Sequence, residues 1–269
     1  MTKNNIKELS IQVDLNGLSF CILNRTLNEI EFLKSVEFES RLSPFDILSR
    51  LKTELSSNPI FSQDFKEVLV IHQNEIASLV PESLYDKHYK VDYLKFNSKI
   101  LKTDFIATDQ LEVNKSINVY VPYVNINNFI FDTFGSFTYK HASSILIDAI
   151  LQNADSTYDK PKLLVNVNRS TIEVLVYKAN ELQLFNVFDY SSKEDFIYYI
   201  LFVFEQLQLD VEVTIVELSG NIEKDDELFH VLYTYVRHVN IIETKYSFDF
   251  SEALKKVPYH KNFIILNSF

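Results

Sequence analysis

The chain has 269 residues, 46% of them hydrophobic and 23% charged, with a formal net charge of −11. That length accommodates two compact domains, and the balance is that of a globular protein rather than a disordered or fibrous one. The acidic surface, with Lys and Arg scattered singly, excludes a nucleic-acid backbone as partner, and a lone cysteine, Cys21, excludes an internal disulfide. The first residues, Met1-Thr-Lys-Asn-Asn-Ile-Lys-Glu, lack an apolar signal region. The longest apolar run, Phe196 to Phe204, is about half the length that spans a bilayer. These features predict a cytoplasmic location without a membrane span.

Residues 8–15 and 18–24 alternate apolar and polar side chains around Asn16-Gly17, which predicts a hairpin with both central residues at positive φ. Cys21 lies on this pattern as a small hydrophobe. A third strand follows at about 29–38. Ser43-Pro44-Phe45-Asp46 has the chemistry of a helix start, with Ser as N-cap and Pro at the first helical position. Phe45, Leu48, Leu51 and Leu55 then recur at helical spacing until Asn58-Pro59. The apolar run at 68–71 predicts a buried strand. Val80-Pro81 is read as the end of a short helical piece, and strands are expected at 91–96, 103–108 and 117–121. A helix near 125–134 should end at Gly135, with a strand at 137–141 and a helix capped by Ser143 or Ser144 running to Asn153. The polar stretch 153–160, closed by Pro161, separates a first domain, 1–154, carrying an irregular insertion at about 75–140, from a second, 155–269.

The second domain predicts strands near 163–167, 171–177 and 181–189, a helix capped at Ser191-Ser-Lys-Glu194, and a buried strand at 213–216. Ser219-Gly220-Asn221 would then turn the chain into a final long helix with Leu228, Val231, Leu232 and Val236 on its apolar face. This is the order of the first domain again. At a constant offset of 152 positions Val13 faces Val165, Asp14 faces Asn166, Phe20 faces Ile172, and Asn28-Glu29-Ile30 faces Asn180-Glu181-Leu182. Such self-similarity is the mark of a duplicated unit.

The fold class is therefore α/β, with duplicated β-β-β-α-β-α halves. That architecture resembles the actin-like ATPase superfamily, of ribonuclease H-like fold, whose members include sugar kinases, heat-shock ATPases and cell-division actin homologues. Within it the chain is most similar to uncharacterised bacterial proteins grouped as a domain of unknown function. The resemblance implies a two-domain architecture with Mg-ATP between the halves, each hairpin turn being a phosphate loop of Asp-x-Gly type. Carried onto this sequence, Asp14, Asn16 and Gly17 fall on the first loop, with Asp-x-x-Gly spacing. The second falls on Asn166, Asn168, Arg169, Ser170 and Thr171, and the adenosine loop on Ser219, Gly220 and Asn221.

The substitutions in these loops work against catalysis. Mg²⁺ favours carboxylates, whereas Asn166 offers a neutral oxygen, and a phosphate concavity needs backbone N–H groups in a chain holding three glycines. A tight hairpin turn accounts for Asp14, Asn16 and Gly17, and an exposed turn accounts for Arg169, although a guanidinium beside two hydroxyls also suits a carboxylate or phosphate. Helix entry accounts for Ser219-Gly220-Asn221, beside an anion site at the helix dipole. The six histidines show no metal-ligand spacing, so no metal site is expected. His141, just ahead of a capped helix, suits a hydrogen-bonded junction, and 233–238, rich in Tyr, suits either the flank of a helix or a partner-binding face. The expectation is a non-catalytic scaffold or protein-binding factor with an unidentified protein partner or self-association and no cofactor. The alternative is a nucleotide-binding ATPase or small-molecule kinase using Mg-ATP.

Overall fold

A computed structural model describes residues 5–96 and 98–269. Strands β1 (Lys7–Asp14) and β2 (Gly17–Asn24) form the first hairpin, and β3 (Glu29–Glu37) continues it antiparallel. Helix α1 (Pro44–Ser57) then crosses to β4 (Glu67–His72), which lies parallel to β1. The Ser43 hydroxyl caps α1 by accepting from the Asp46 amide. The helix buries Ile47, Leu51 and Leu55, while Phe45, expected on this face, sits in the first turn and is exposed.

The insertion departs most from expectation. It is a small sheet of β5 (Ala77–Pro81), β6 (Ala107–Leu111) and β7 (Ser116–Tyr120) with β7 central, covered by α2 (Lys90–Lys95). Val80-Pro81 is thus strand rather than helix, 91–96 is mostly helix rather than strand, and the strand expected at 103–108 starts at Ala107. Over six residues a period of 2 and one of 3.6 are nearly indistinguishable. Packing decides: Leu94, Val80, Ile117 and Val119 share one small core.

Helix α3 (Val124–Phe134) ends at Gly135, and β8 (Thr138–His141) joins β4 in parallel. Helix α4 (Ala142–Gln152) follows without a loop. Its cap is His141, whose Nδ1 accepts from the Ser143 amide; Ser143 and Ser144 are buried within the helix.

The second half contains β9 (Pro161–Val167), β10 (Thr171–Lys178), β11 (Glu181–Asp189), α5 (Lys193–Gln206), β12 (Ile215–Gly220), α6 (Glu227–Tyr235) and β13 (His238–Ile241). The strand expected at 213–216 begins two residues later. The helix expected to be final and long is α6, of nine residues. After β13 the chain returns to the first sheet, where β14 (Asp249–Phe250) pairs in parallel with β3, and α7 (Phe263–Leu266) packs between the sheets.

Strand orders β3-β2-β1-β4-β8 and β11-β10-β9-β12-β13 coincide element for element. Even a β-bulge is repeated, skipping Glu31 in β3 and Gln183 in β11. The equivalence is not at one constant offset, however. The Val13 carbonyl accepts from the Gln73 amide as the Val167 carbonyl accepts from Asn221, so β1 and β9 match at 154 positions. Strands β3 and β11 match at 152, because the turn before β3 is two residues longer. A slip of two leaves every side chain on its own face, so hydropathy could not separate the registers. Asp14 is therefore the counterpart of Asn168, not of Asn166.

Three layers of core follow. Helices α1 and α3 cover the outside of the first sheet, and α5 and α6 the outside of the second. Helix α4 is buried almost all round, as a helix must be when apolar side chains meet it from both sheets. Cys21 faces this central core, where burial pushes its thiol pKa up and makes it structural.

Candidate functional site

The two hairpin turns and the end of β12 meet in one crevice between the halves. Eight of the expected positions, Asp14, Asn16, Gly17, Asn166, Asn168, Arg169, Gly220 and Asn221, line it. Thr171 lines a smaller adjoining recess, and Ser219 lies buried behind Asn166. Ser170 sits in the second turn, where its carbonyl accepts from the Tyr190 amide at 3.0 Å.

Local geometry revises what each turn does. The first is centred on Leu15-Asn16, one residue earlier than expected, with Asp14 Oδ1 accepting from the Asn16 amide at 2.6 Å. Gly17 opens β2 without positive φ; a Cβ there would lie 2.7 Å from the Val36 carbonyl oxygen, so close strand packing requires the glycine. Loop 38–42 closes over this turn, its Phe38 and Leu42 amides donating to the Asn16 and Leu15 carbonyls at 2.9 and 2.8 Å. In the second turn the Asn168 amide donates to the Thr171 carbonyl at 2.9 Å, and the Tyr190 hydroxyl donates to the Asn168 carbonyl at 2.7 Å. Ser219-Gly220-Asn221 opens no helix. Gly220 ends β12 at φ +81, the Asn221 amide donates to Val167 at 2.7 Å, and α6 starts at Glu227. The helix-dipole reading of that segment is therefore corrected: no helix begins there to supply the dipole.

Side chains then fill the crevice. Gln12 Nε2 donates to Gln73 Oε1 at 2.6 Å, and Gln73 Nε2 donates to Asn168 Oδ1 at 3.0 Å. Asn166 Nδ2 donates to Glu173 Oε2 at 2.7 Å, while Ser219 donates to Asn166 Oδ1 at 2.9 Å. Ser143 reaches Glu173 from α4 at 3.3 Å. Burial raises the Glu173 pKa, partly offset by the hydrogen bonds from Asn166, Asn168 and Ser143. Burial likewise raises that of Asp14, against the Asn16 amide that lowers it. At the mouth Arg41 grips Glu75 in a bidentate pair, 2.6 and 3.0 Å.

Arg169 is neither a free turn arginine nor an open anion receptor. Its guanidinium crosses from the second half to donate to the Phe38 and Glu39 carbonyls of the first. The remaining cavity is about 140 Å³, whereas small-molecule sites usually enclose about 300–1,000 Å³.

A second polar cluster ties the insertion to α4. Asp109 accepts from the Tyr120 hydroxyl at 2.9 Å, the His141 amide at 2.7 Å and the Ser144 hydroxyl at 2.6 Å. His141 is the junction residue its position suggested, with Nε2 donating to the Asn74 carbonyl at 3.1 Å. Burial drops its pKa to about 4 and that of His72 to about 3. Sequence reading missed Glu173, Gln12, Gln73 and Asp109. Glu173 had a signal: it is the one charged residue in an otherwise apolar strand, 172–177. Among the described residues no group of three His, Cys, Asp or Glu side chains is placed to hold a metal.

The family model for "Protein of unknown function (DUF3822)" matches residues 1–239. The chain belongs to that family. Among solved structures it is similar to a Bacteroides thetaiotaomicron protein with actin-like ATPase fold and unknown function, with 21% identity and a TM-score of 0.80. The match covers 90% of this chain and 92% of that one. It is also similar to a chain of the PilM–PilN type IV pilus biogenesis complex, at 9% identity and a TM-score of 0.66 over 97% of each chain. No curated protein matches. At such identities the likeness carries the fold alone, and the fold is actin-like. What this DUF3822 member does with the fold is a question for its own crevice, whose turn amides at Asn16, Asn168 and Asn221 are already bonded within the protein. Among the described residues no helix is long and apolar enough to cross a membrane.

Proposed function

We propose that this protein is a non-catalytic actin-like module that works in the cytoplasm by binding another protein or a further copy of itself. The observation carrying this reading is the Arg169 guanidinium bonded to the Phe38 and Glu39 carbonyls across the crevice, in the place where the fold family would need room for phosphate. Opening the crevice to a nucleotide would break those bonds and the Gln12–Gln73–Asn168 chain beneath them. Asp14 supports the same reading, since a half-buried carboxyl with a raised pKa that already accepts its own turn amide is poorly disposed to hold Mg²⁺. PilM, a protein of this fold, occurs in a complex with PilN, which favours a protein partner here. The net charge of −11 argues against nucleic acid.

The rival reading, a nucleotide-binding ATPase or small-molecule kinase, is separated by thermal melts with and without Mg-ATP. Nucleotide at 100-fold over its dissociation constant adds about 2.7 kcal/mol, a rise of roughly 5–10 °C for a chain this size. The expected result is no shift up to millimolar Mg-ATP. A clear rise abolished by Asp14→Ala would establish the rival.

A further inference from the structure

The two sheets correspond strand for strand over five strands but differ at one outer edge. In the first sheet the outer edge of β3 is closed by β14, an extended segment from the far end of the chain. The Asp249 amide donates to the Asn28 carbonyl at 2.9 Å and the Ser251 amide to Ile30 at 3.1 Å, while the Asn28 side chain donates to the Ser247 carbonyl at 2.7 Å. In the second sheet β11 ends the strand order. Its Asn180-Glu181-Leu182 repeats Asn28-Glu29-Ile30, with the same bulge one residue later. Along this part of β11 runs a groove of about 600 Å³, bounded on its other side by Leu79, Pro81, Val113 and Lys115 of the insertion. Its apolar floor, Leu79, Val113, Leu182 and Phe185, is continuous with the central core.

An unpaired strand edge is a template for another strand, and added strands recognise backbone by hydrogen bonds and alternate side chains by pockets. We infer that this groove is a docking site for an extended segment of a partner protein, which lies parallel to β11 as β14 lies parallel to β3. Its amides donate to the Asn180 and Leu182 carbonyls, and the Asn180 side chain takes one of its carbonyls. The segment carries apolar residues at alternate positions, as Phe248 and Phe250 do on the core side of β14. It also carries Lys or Arg at its flanks. Exposed Glu181 lines the groove and exposed Glu82 and Glu112 adjoin it, against Lys115 as the cation lining it. The site is separate from the crevice, so nucleotide binding there would leave this inference standing, and its failure would leave the non-catalytic reading untouched.

The test pans a displayed library of random twelve-residue segments against the full chain and measures amide hydrogen exchange with the enriched peptides. Enriched peptides should alternate apolar residues between basic flanks and slow exchange within 181–185 by about tenfold or more. N-methylation of the two pairing amides should weaken them about tenfold, and Glu112→Lys with Glu181→Lys, both surface changes, about fivefold. Four results would overturn the inference: no enrichment, binding indifferent to N-methylation, protection at β3 in place of β11, or a dimer of this chain that occupies β11 and excludes peptide.

Discussion

Replacing Gly220 by Ala separates a structural glycine from a nucleotide-loop glycine. Gly220 adopts φ +81, which costs an L-residue about 1–2 kcal/mol. In addition, an added Cβ would lie 2.2 Å from the Val167 carbonyl oxygen and 2.9 Å from Asn166 Oδ1. The first of these is backbone, and the same oxygen accepts the Asn221 amide, so β12 must move away from β9 at the floor of the crevice. Displacement of that kind adds about 1–3 kcal/mol. Gly220→Ala should therefore lose roughly 2–5 kcal/mol, a sizeable part of the 5–15 kcal/mol stability of a typical protein. Gly135 shows strain without crowding: its φ of +80 and ψ of −134 suit glycine alone, which costs an L-residue about 1–3 kcal/mol, but a Cβ there meets nothing within 4 Å. Urea unfolding followed by circular dichroism measures both, with unchanged m-values required for the comparison. If Gly220→Ala costs no more than the positive-φ cost of about 1–2 kcal/mol, the close contact is not a constraint and the crevice floor is not sealed.

Arg169→Ala should lower the urea midpoint by the equivalent of about 1–2 kcal/mol, because two carbonyls of loop 38–42 lose a charged donor. Faster amide exchange in that loop is its local signature, and unaltered exchange would refute the tie. Glu173→Gln should raise stability at neutral pH. Burial raises the Glu173 pKa above its unfolded value near 4.5, so the wild type gains stability as pH falls toward 4.5, and the difference from the variant should vanish there. A constant difference from pH 8 to 4.5 would contradict it. His141 has the opposite sign. Its folded pKa of about 4 lies below the unfolded 6.5, so its stabilising neutral form is favoured above 6.5, and stability is lost as pH falls from 6.5 toward 4. The limiting slope is about 1.4 kcal/mol per pH unit. His72 acts in the same direction, whereas the half-buried Asp14 and Asp109 and the buried Glu173, whose pKa values desolvation raises, oppose it. Acid titration of stability in His141→Asn should therefore show a shallower fall between pH 6.5 and 5 than the wild type, and an identical slope would exclude the assignment.

Local chemistry made much of the architecture legible. Alternation marked β1 to β3 and β9 to β11, Ser43-Pro44 marked the start of α1, Gly135 the end of α3, and the repeated Asn-Glu-apolar triplet marked the duplication. These are signals carried by neighbouring residues, which act through the same backbone whatever surrounds them. The insertion was less legible because its elements are five or six residues long and their choice of helix or strand depends on what Leu94 and Val80 can pack against.

In the crevice, sequence alone determined which residues assemble: Asp14, Asn168, Arg169 and Gly220 follow from two superposable hairpins and the strand beside them. It also determined that carboxylate and glycine were missing from the second turn. Only the tertiary structure decided that Asp14 pairs with Asn168, since a two-residue slip preserves every strand face and only the loop before β3 reveals it. It alone decided that Arg169 points at Phe38 and Glu39, residues 131 and 130 positions away, and that the lone carboxylate of β10 is held by Asn166 from the adjacent strand. Hydrogen bonds between distant segments are set by how two sheets pack around α4, and no local pattern encodes that distance.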